Sequence, residues 1–143
     1  MSYENVYVAQ VALGAKDQQT VKAFVDAESY DGPSIIIAYS HCIAHGIDMV
    51  NGLHQQKLAV DSGYWPLFRF DPRLAAQGEN PFQLDSDKAS IPLTDYIYSE
   101  ARYRMLQQTR PVEAAELLTL AQGDVTKRRK YYEELATINE NGQ

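Results

Sequence analysis

The segment Ser40-His41-Cys42-Ile43-Ala44-His45-Gly46 places the chain's one cysteine beside two of its three histidines. Thiolate and imidazole together bind soft metals or make nucleophiles, so four readings of Cys42 stand open. A lone cysteine is commonly a small buried hydrophobe. A thiolate paired with His41 or His45 would be a nucleophile, but it needs a base oriented by a third group, and no spacing here specifies one. Structural zinc takes four ligands in a recognisable spacing, which His-Cys-x-x-His does not match. The last reading is one thiolate of an iron–sulfur cluster whose other ligands lie elsewhere. For each histidine, a hydrogen bond to backbone near a helix start is the plain alternative to a ligand role.

Other candidates offer less. Gly46 and Gly52 form no phosphate-binding loop of the G-x-G-x-x-G or G-x-x-x-x-G-K-[ST] type. Glu133-Glu134 and the run Lys127-Arg128-Arg129-Lys130 are expected on the solvated face of a terminal helix. Tyr96, Tyr98, Tyr103, Tyr131 and Tyr132 are expected to pack rather than to bind a cofactor.

The elements that must position Cys42 are a strand, a helix and a second strand. Val6 to Leu13 is β-branched and aromatic and stops at Gly14, so it predicts a strand. Asp17 can cap a helix with Val21, Phe24 and Val25 on one face, closed by Gly32-Pro33. Ser34 to Tyr39 is apolar on both faces, which predicts a central strand of a sheet covered on both sides. Strand, helix, strand is a βαβ unit with parallel strands and a right-handed crossover. Ligands in such sheets bind beyond the carboxyl ends of the strands, which is where Cys42 falls.

Downstream, a helix is expected from about Ile47 to Val60, closed by Gly63. Tyr64 to Phe70 predicts a third strand, placed at or near an edge because Pro66 cannot donate to a ladder. Asp71 to Ser90 reads as loop with a short strand at Pro81 to Leu84. A helix capped by Thr94 follows from about Asp95 to Gln107. Pro111 opens another that stops at Gly123, and Asp124 caps a last one; Asn139 to Gln143 should fray.

The chain has 143 residues, 45 % apolar and 22 % charged, with net charge −6. This suits one folded domain of ordinary size and argues against disorder and nucleic-acid binding. The longest apolar run, Ser34 to Tyr39, is too short to span a bilayer, and no signal peptide is visible. One cysteine excludes an internal disulfide and makes the cytoplasm the expected compartment. The expected fold is α/β: three layers, a mainly parallel sheet with helices on both faces, plus a helical C-terminal extension. Residues 1–90 would form the α/β part and residues 91–143 the extension of the same domain.

Five stretches carry a resemblance: Val6–Ala15, Ala27–Ser34, Tyr64–Arg73, Asn80–Ser86 and, most specific, Ile35-Ile36-Ile37-Ala38-Tyr39-Ser40-His41-Cys42-Ile43-Ala44-His45-Gly46. In order and without large gaps, they resemble the C-terminal end of the single-chain pyruvate:ferredoxin/flavodoxin oxidoreductases. The resemblance implies the C-terminal half of a thiamine-diphosphate-binding domain. It also implies an enzyme that converts pyruvate to acetyl-CoA with thiamine diphosphate, Mg2+ and [4Fe-4S] clusters, passing electrons to ferredoxin or flavodoxin. In that family a cysteine at the place of Cys42 is the last ligand of the cluster nearest the thiamine. His41 and His45 would lie near that site.

The departures from the family pattern are as informative. The chain has no Cys-x-x-Cys and none of the family's Gly-Asp-Gly…Asn run for magnesium and diphosphate. One thiolate cannot hold a cubane cluster. The expectation is therefore a fragment, a split subunit or a gene remnant, with the rest of the oxidoreductase as partner and no activity or cofactor of its own. The rival expectation is a non-catalytic interaction module.

Overall fold

A computed structural model describes residues 5–138; the expected fraying at Asn139 to Gln143 lies outside them. Four strands, β1 (Tyr7–Val11), β2 (Ser34–Ala38), β3 (Phe68–Phe70) and β4 (Phe82–Leu84), form one sheet in the order β2-β1-β3-β4. Six helices accompany them: α1 (Asp17–Ser29), α2 (Gly52–Asp61), α3 (Pro72–Ala75), α4 (Leu93–Ile97), α5 (Ala101–Thr109) and α6 (Pro111–Thr137). The class is α/β as expected, with helices on both faces. Alternation along β1 decides which face each helix takes. Tyr7, Ala9 and Val11 pack with Ala23 and Ala27 of α1, and Val8 packs with Phe68, Phe82 and, from α6, Tyr132, Leu135 and Ala136.

The sheet is mixed rather than mainly parallel. β1 and β2 run parallel, with Ala9 opposite Ile36, but β3 returns antiparallel to β1 and β4 antiparallel to β3. Two strand positions differ from expectation. The apolar strand β2 is an edge strand, with β1 as its partner. β3 lies inside the sheet, because Pro66 precedes the ladder and its carbonyl accepts a bond from Gln10 Nε2 at 2.7 Å instead.

The helices also divide differently. The expected helix from Ile47 begins as 3₁₀ turns at Ile43–His45 and Met49–Asn51 before α2. The helix expected over Asp95 to Gln107 is broken at residues 98–100 into α4 and α5, and Pro92, not Thr94, takes the N-cap position. The two helices expected on either side of Gly123 are one, α6, which is about 40 Å long. Gly123 keeps helical geometry and has open space around it, so it costs only about 1 kcal/mol of propensity and does not stop the helix. The basic run on α6 is only half solvated: Arg129 Nη1 donates to the carbonyls of Ser86 and Asp87 at 2.8 Å each, and Arg128 donates to Tyr64 O.

Arg69 ties the sheet to α1. Its Nε and Nη2 donate to the two oxygens of Asp85 at 2.8 Å each, and its Nη1 donates to Asp26 of α1 at 3.0 Å. All three side chains are mostly buried, at 13, 12 and 17 % exposure. Arg69→Met would leave the mostly buried Asp85 without its cation and Asp26 with Lys22 alone, 3.0 Å away. We expect a loss of about 3 kcal/mol in a denaturant titration; a loss below about 1 kcal/mol would mean that the cluster is solvated.

Candidate functional site

The site is a turn set beyond the carboxyl end of β2. The backbone leaves β2 with Tyr39 N–H donating to Val11 O at 3.0 Å, so the end of β1 sets where the turn begins. The Trp65 indole donates to the same carbonyl at 3.1 Å and meets Tyr39 edge-on at 5.3 Å. The Tyr39 hydroxyl lies 2.8 Å from that of Tyr96. Burial raises both phenols above their ordinary range, so this contact stays a neutral hydrogen bond near pH 7. The strand's exit is thus held by aromatic packing and three hydrogen bonds.

Cys42 is exposed, so the fold of this chain alone does not bury it as a small hydrophobe. Its Sγ accepts from Ala44 N at 3.4 Å and thereby caps the first 3₁₀ turn. Both histidines point their Nδ1 atoms at other groups. His41 Nδ1 pairs with Gln56 Nε2 at 3.1 Å, and His45 Nδ1 with Glu100 Oε2 at 3.1 Å. Glu100 could orient His45 as a base, but among the described residues neither imidazole is hydrogen-bonded to the Cys42 sulfur, so the nucleophile reading lacks its thiol–base contact and both histidines act as anchors of the turn. No group of three metal-ligating side chains occurs among the described residues, so zinc held by this chain alone finds no support there. An exposed sulfur on an ordered turn retains the chemistry of a single soft-metal ligand.

Each anchor reaches far along the chain. Gln56 also accepts from Gly14 N at 2.8 Å through Oε1, joining His41 to the turn after β1. Glu100 is 2 % exposed and takes Gln55 Nε2 at 3.0 Å on its other oxygen. Gln55 and Gln56 are themselves 4 and 6 % exposed. None of Gln55, Gln56 or Glu100 stands out in the sequence; the only signal is amide side chains at consecutive positions of an otherwise amphipathic helix.

Two glycines make the fit possible. Gly52 lies against the His41 ring, where a Cβ would overlap it. Gly46 closes the first 3₁₀ turn at φ 72°, and a Cβ there would overlap Ala101 Cβ. Gly78, at φ 74°, has the same backbone but open space. Gly46→Ala should therefore cost the left-handed penalty of about 1–2 kcal/mol plus the overlap, and Gly78→Ala the penalty alone. Thermal melts of both variants check this; equal losses would show that the Gly46–Ala101 contact is loose.

A second feature concerns the surface. Val21, Phe24 and Val25 do share one face of α1, but they are 60, 55 and 60 % exposed, while Ala23 on the opposite face is fully buried. Ile35 and Ile37 of β2 are 53 and 42 % exposed, and Ile43, Met49, Val50 and Leu53 continue the exposed apolar series around the turn. Burying one such side chain is worth roughly 1.5–3 kcal/mol, so a covering surface would recover many times that. Ile36, not Ile35 or Ile37, packs on the α1 side, so the α1 stripe and the β2 isoleucines are exposed on opposite sides of the sheet, and exposed apolar surface of this kind marks interaction. No helix among the described residues is long and apolar enough to cross a membrane.

No family model matches the chain. Curated relatives do. It is 54 % identical over 137 residues, 96 % of its length, to a pyruvate-flavodoxin oxidoreductase of Nostoc sp., of which it covers 11 %. It is 46 % identical over 136 residues, 95 % of its length, to the pyruvate:ferredoxin oxidoreductase of Moorella thermoacetica, of which it covers 12 %. Against a mitochondrial pyruvate dehydrogenase [NADP(+)] of Euglena gracilis the identity is 47 % over 134 residues, 92 % of this chain and 7 % of that protein. The chain thus spans about an eighth or less of the relatives it matches.

Proposed function

We propose, for a chain that is homologous over its whole length to the C-terminal part of the pyruvate-flavodoxin/ferredoxin oxidoreductases, that it works as one piece of such an enzyme. Joined to the remainder, it would take part in the oxidative decarboxylation of pyruvate to acetyl-CoA. The observation that carries this reading is identity near one half along nearly the entire chain to proteins eight or more times longer. The inside-out α1 supports it, since an apolar stripe facing water fits a domain half whose other half lies in another segment.

Cys42 would supply one terminal thiolate of a [4Fe-4S] cluster. The other three ligands, and the groups that hold thiamine diphosphate and Mg2+, would come from the remainder, for this chain has one cysteine. The donor fits the role: it is exposed, soft and held on a turn whose flanking histidine side chains are both hydrogen-bonded to other elements. The cluster supplies one-electron transfer when bound. The chain's own part is to set the sulfur's place beyond the end of β2 and to exclude water by burying the α1 and β2 surfaces against the remainder. The electron acceptor is not set by this segment, because relatives named for flavodoxin, ferredoxin and NADP match it about equally well.

The alternative of a non-catalytic interaction module rests on the same exposed surface, and cluster chemistry separates the two. The chain is combined with an oxidoreductase of this family lacking the matching segment, as wild type and as Cys42→Ser. Wild type should restore pyruvate-dependent viologen reduction, and Cys42→Ser should lower the iron content or alter the low-temperature EPR spectrum of one cluster while still associating. Equal iron and identical spectra would leave Cys42 without a ligand role.

A further inference from the structure

We propose that Glu100 is a positioning residue for the Cys42 turn, acting through His45; its bearing on the cluster rests on the ligand reading above. A carboxylate at 2 % exposure is an expensive choice for packing alone, since burial penalises it unless its oxygens are matched. Here both are matched, and to different elements. Oε1 accepts from Gln55 of α2 at 3.0 Å, and Oε2 meets His45 of the turn at 3.1 Å. Gln55 is in turn fixed by Ser99 Oγ, which donates to its Oε1 at 2.8 Å. Residues 98–100 are where one expected helix breaks into α4 and α5, and Glu100, buried at that break, takes the N-cap position of α5 in an extended backbone conformation.

The rest of the same strip seats the turn. Ala101 N donates to Gly46 O at 3.4 Å, and Arg102 Nη2 donates to Ala44 O at 3.2 Å. Ala44 is the residue whose N–H the Cys42 sulfur accepts. On the other side of the cysteine, His41 is held through Gln56 to Gly14. Adjacent glutamines of α2 therefore serve opposite flanks of Cys42, Gln56 by contact with His41 and Gln55 by way of Glu100. The turn's internal bonds, His45 N to Cys42 O at 3.1 Å and Gly46 N to Ile43 O at 2.8 Å, are short and local. A three-residue 3₁₀ turn has little stability of its own, so its order depends on these outside anchors.

The test separates this inference from the ligand reading. In the full chain alone, amide exchange at His45 and Gly46 is followed by NMR in wild type, Glu100→Ala, Glu100→Gln and His45→Ala. His45 is half exposed, so its loss spares the fold if Glu100→Ala does not. Exchange should rise roughly tenfold in Glu100→Ala or His45→Ala, the scale of one lost hydrogen bond to a charged group, with the amides of β1 unchanged. Glu100→Gln, which can still bridge Gln55 and His45, should restore most of the protection. In the assembled enzyme, His45→Ala should keep its iron but shift the EPR spectrum of the cluster that responds to Cys42→Ser. Unchanged turn exchange in His45→Ala overturns the positioning role whatever the cluster does. Raised exchange together with a spectrum blind to both Cys42 and His45 overturns the ligand reading and leaves the positioning role standing.

Discussion

The carbonyl of Val11, at the end of β1, accepts both the Tyr39 backbone N–H and the Trp65 indole N–H. One acceptor therefore joins the central strand to the exit of β2 and to the approach to β3. β1 can do this because it is buried on both faces: Tyr7, Ala9 and Val11 are at most 1 % exposed, and Val8 is 7 % exposed. Its polar neighbours follow the same line. Gln10 reaches Pro66, and Gly14 reaches Gln56. The parallel ladder of β1 and β2 ends at this point, with Val11 opposite Ala38, and the Cys42 turn follows directly.

The distribution of apolar surface is the other half of the account. A helix packs its large apolar residues inward when it is complete; α1 presents alanine inward and Val21, Phe24 and Val25 outward. β2 shows the same pattern, with Ile35 and Ile37 open on one face and no second partner strand among the described residues. A natural edge strand is usually blunted by charge, proline or a bulge, and Ser34–Ala38 has none of these. Both observations describe a sheet and a helix built for neighbours.

Much of this was legible in the sequence. β-branched and aromatic composition marks β1, a run apolar on both faces marks β2, the short β4 falls within the expected Pro81 to Leu84, and α1 ends before Gly-Pro at 32–33. The position of Cys42 past the end of an apolar strand was legible too. The error over β2 has a physical cause: a run apolar on both faces records an environment covered on both sides, which the chain alone does not provide. β3 sits inside the sheet and not at its edge because Pro66 lies two residues before the strand and takes no place in the ladder. The clamp of Gln55, Gln56 and Glu100 has no sequence signal beyond two adjacent amides, for its bonds join residues 15 to 55 positions apart, and no local periodicity encodes such pairs. Arg128 and Arg129 look like solvated charge until Tyr64 and Ser86 come to meet them.

In the proposed assembly the exposed faces of α1 and β2 are covered by the remainder of a larger enzyme. Amide hydrogen exchange over Asp17–Ser29 and Ser34–Ala38 measures this covering most directly, in the chain alone and in the chain mixed with a family oxidoreductase that lacks this segment. The account predicts that exchange in both stretches slows strongly on mixing, while β1, already buried, changes little. Association with unchanged exchange in both stretches, or no association at all, would contradict it.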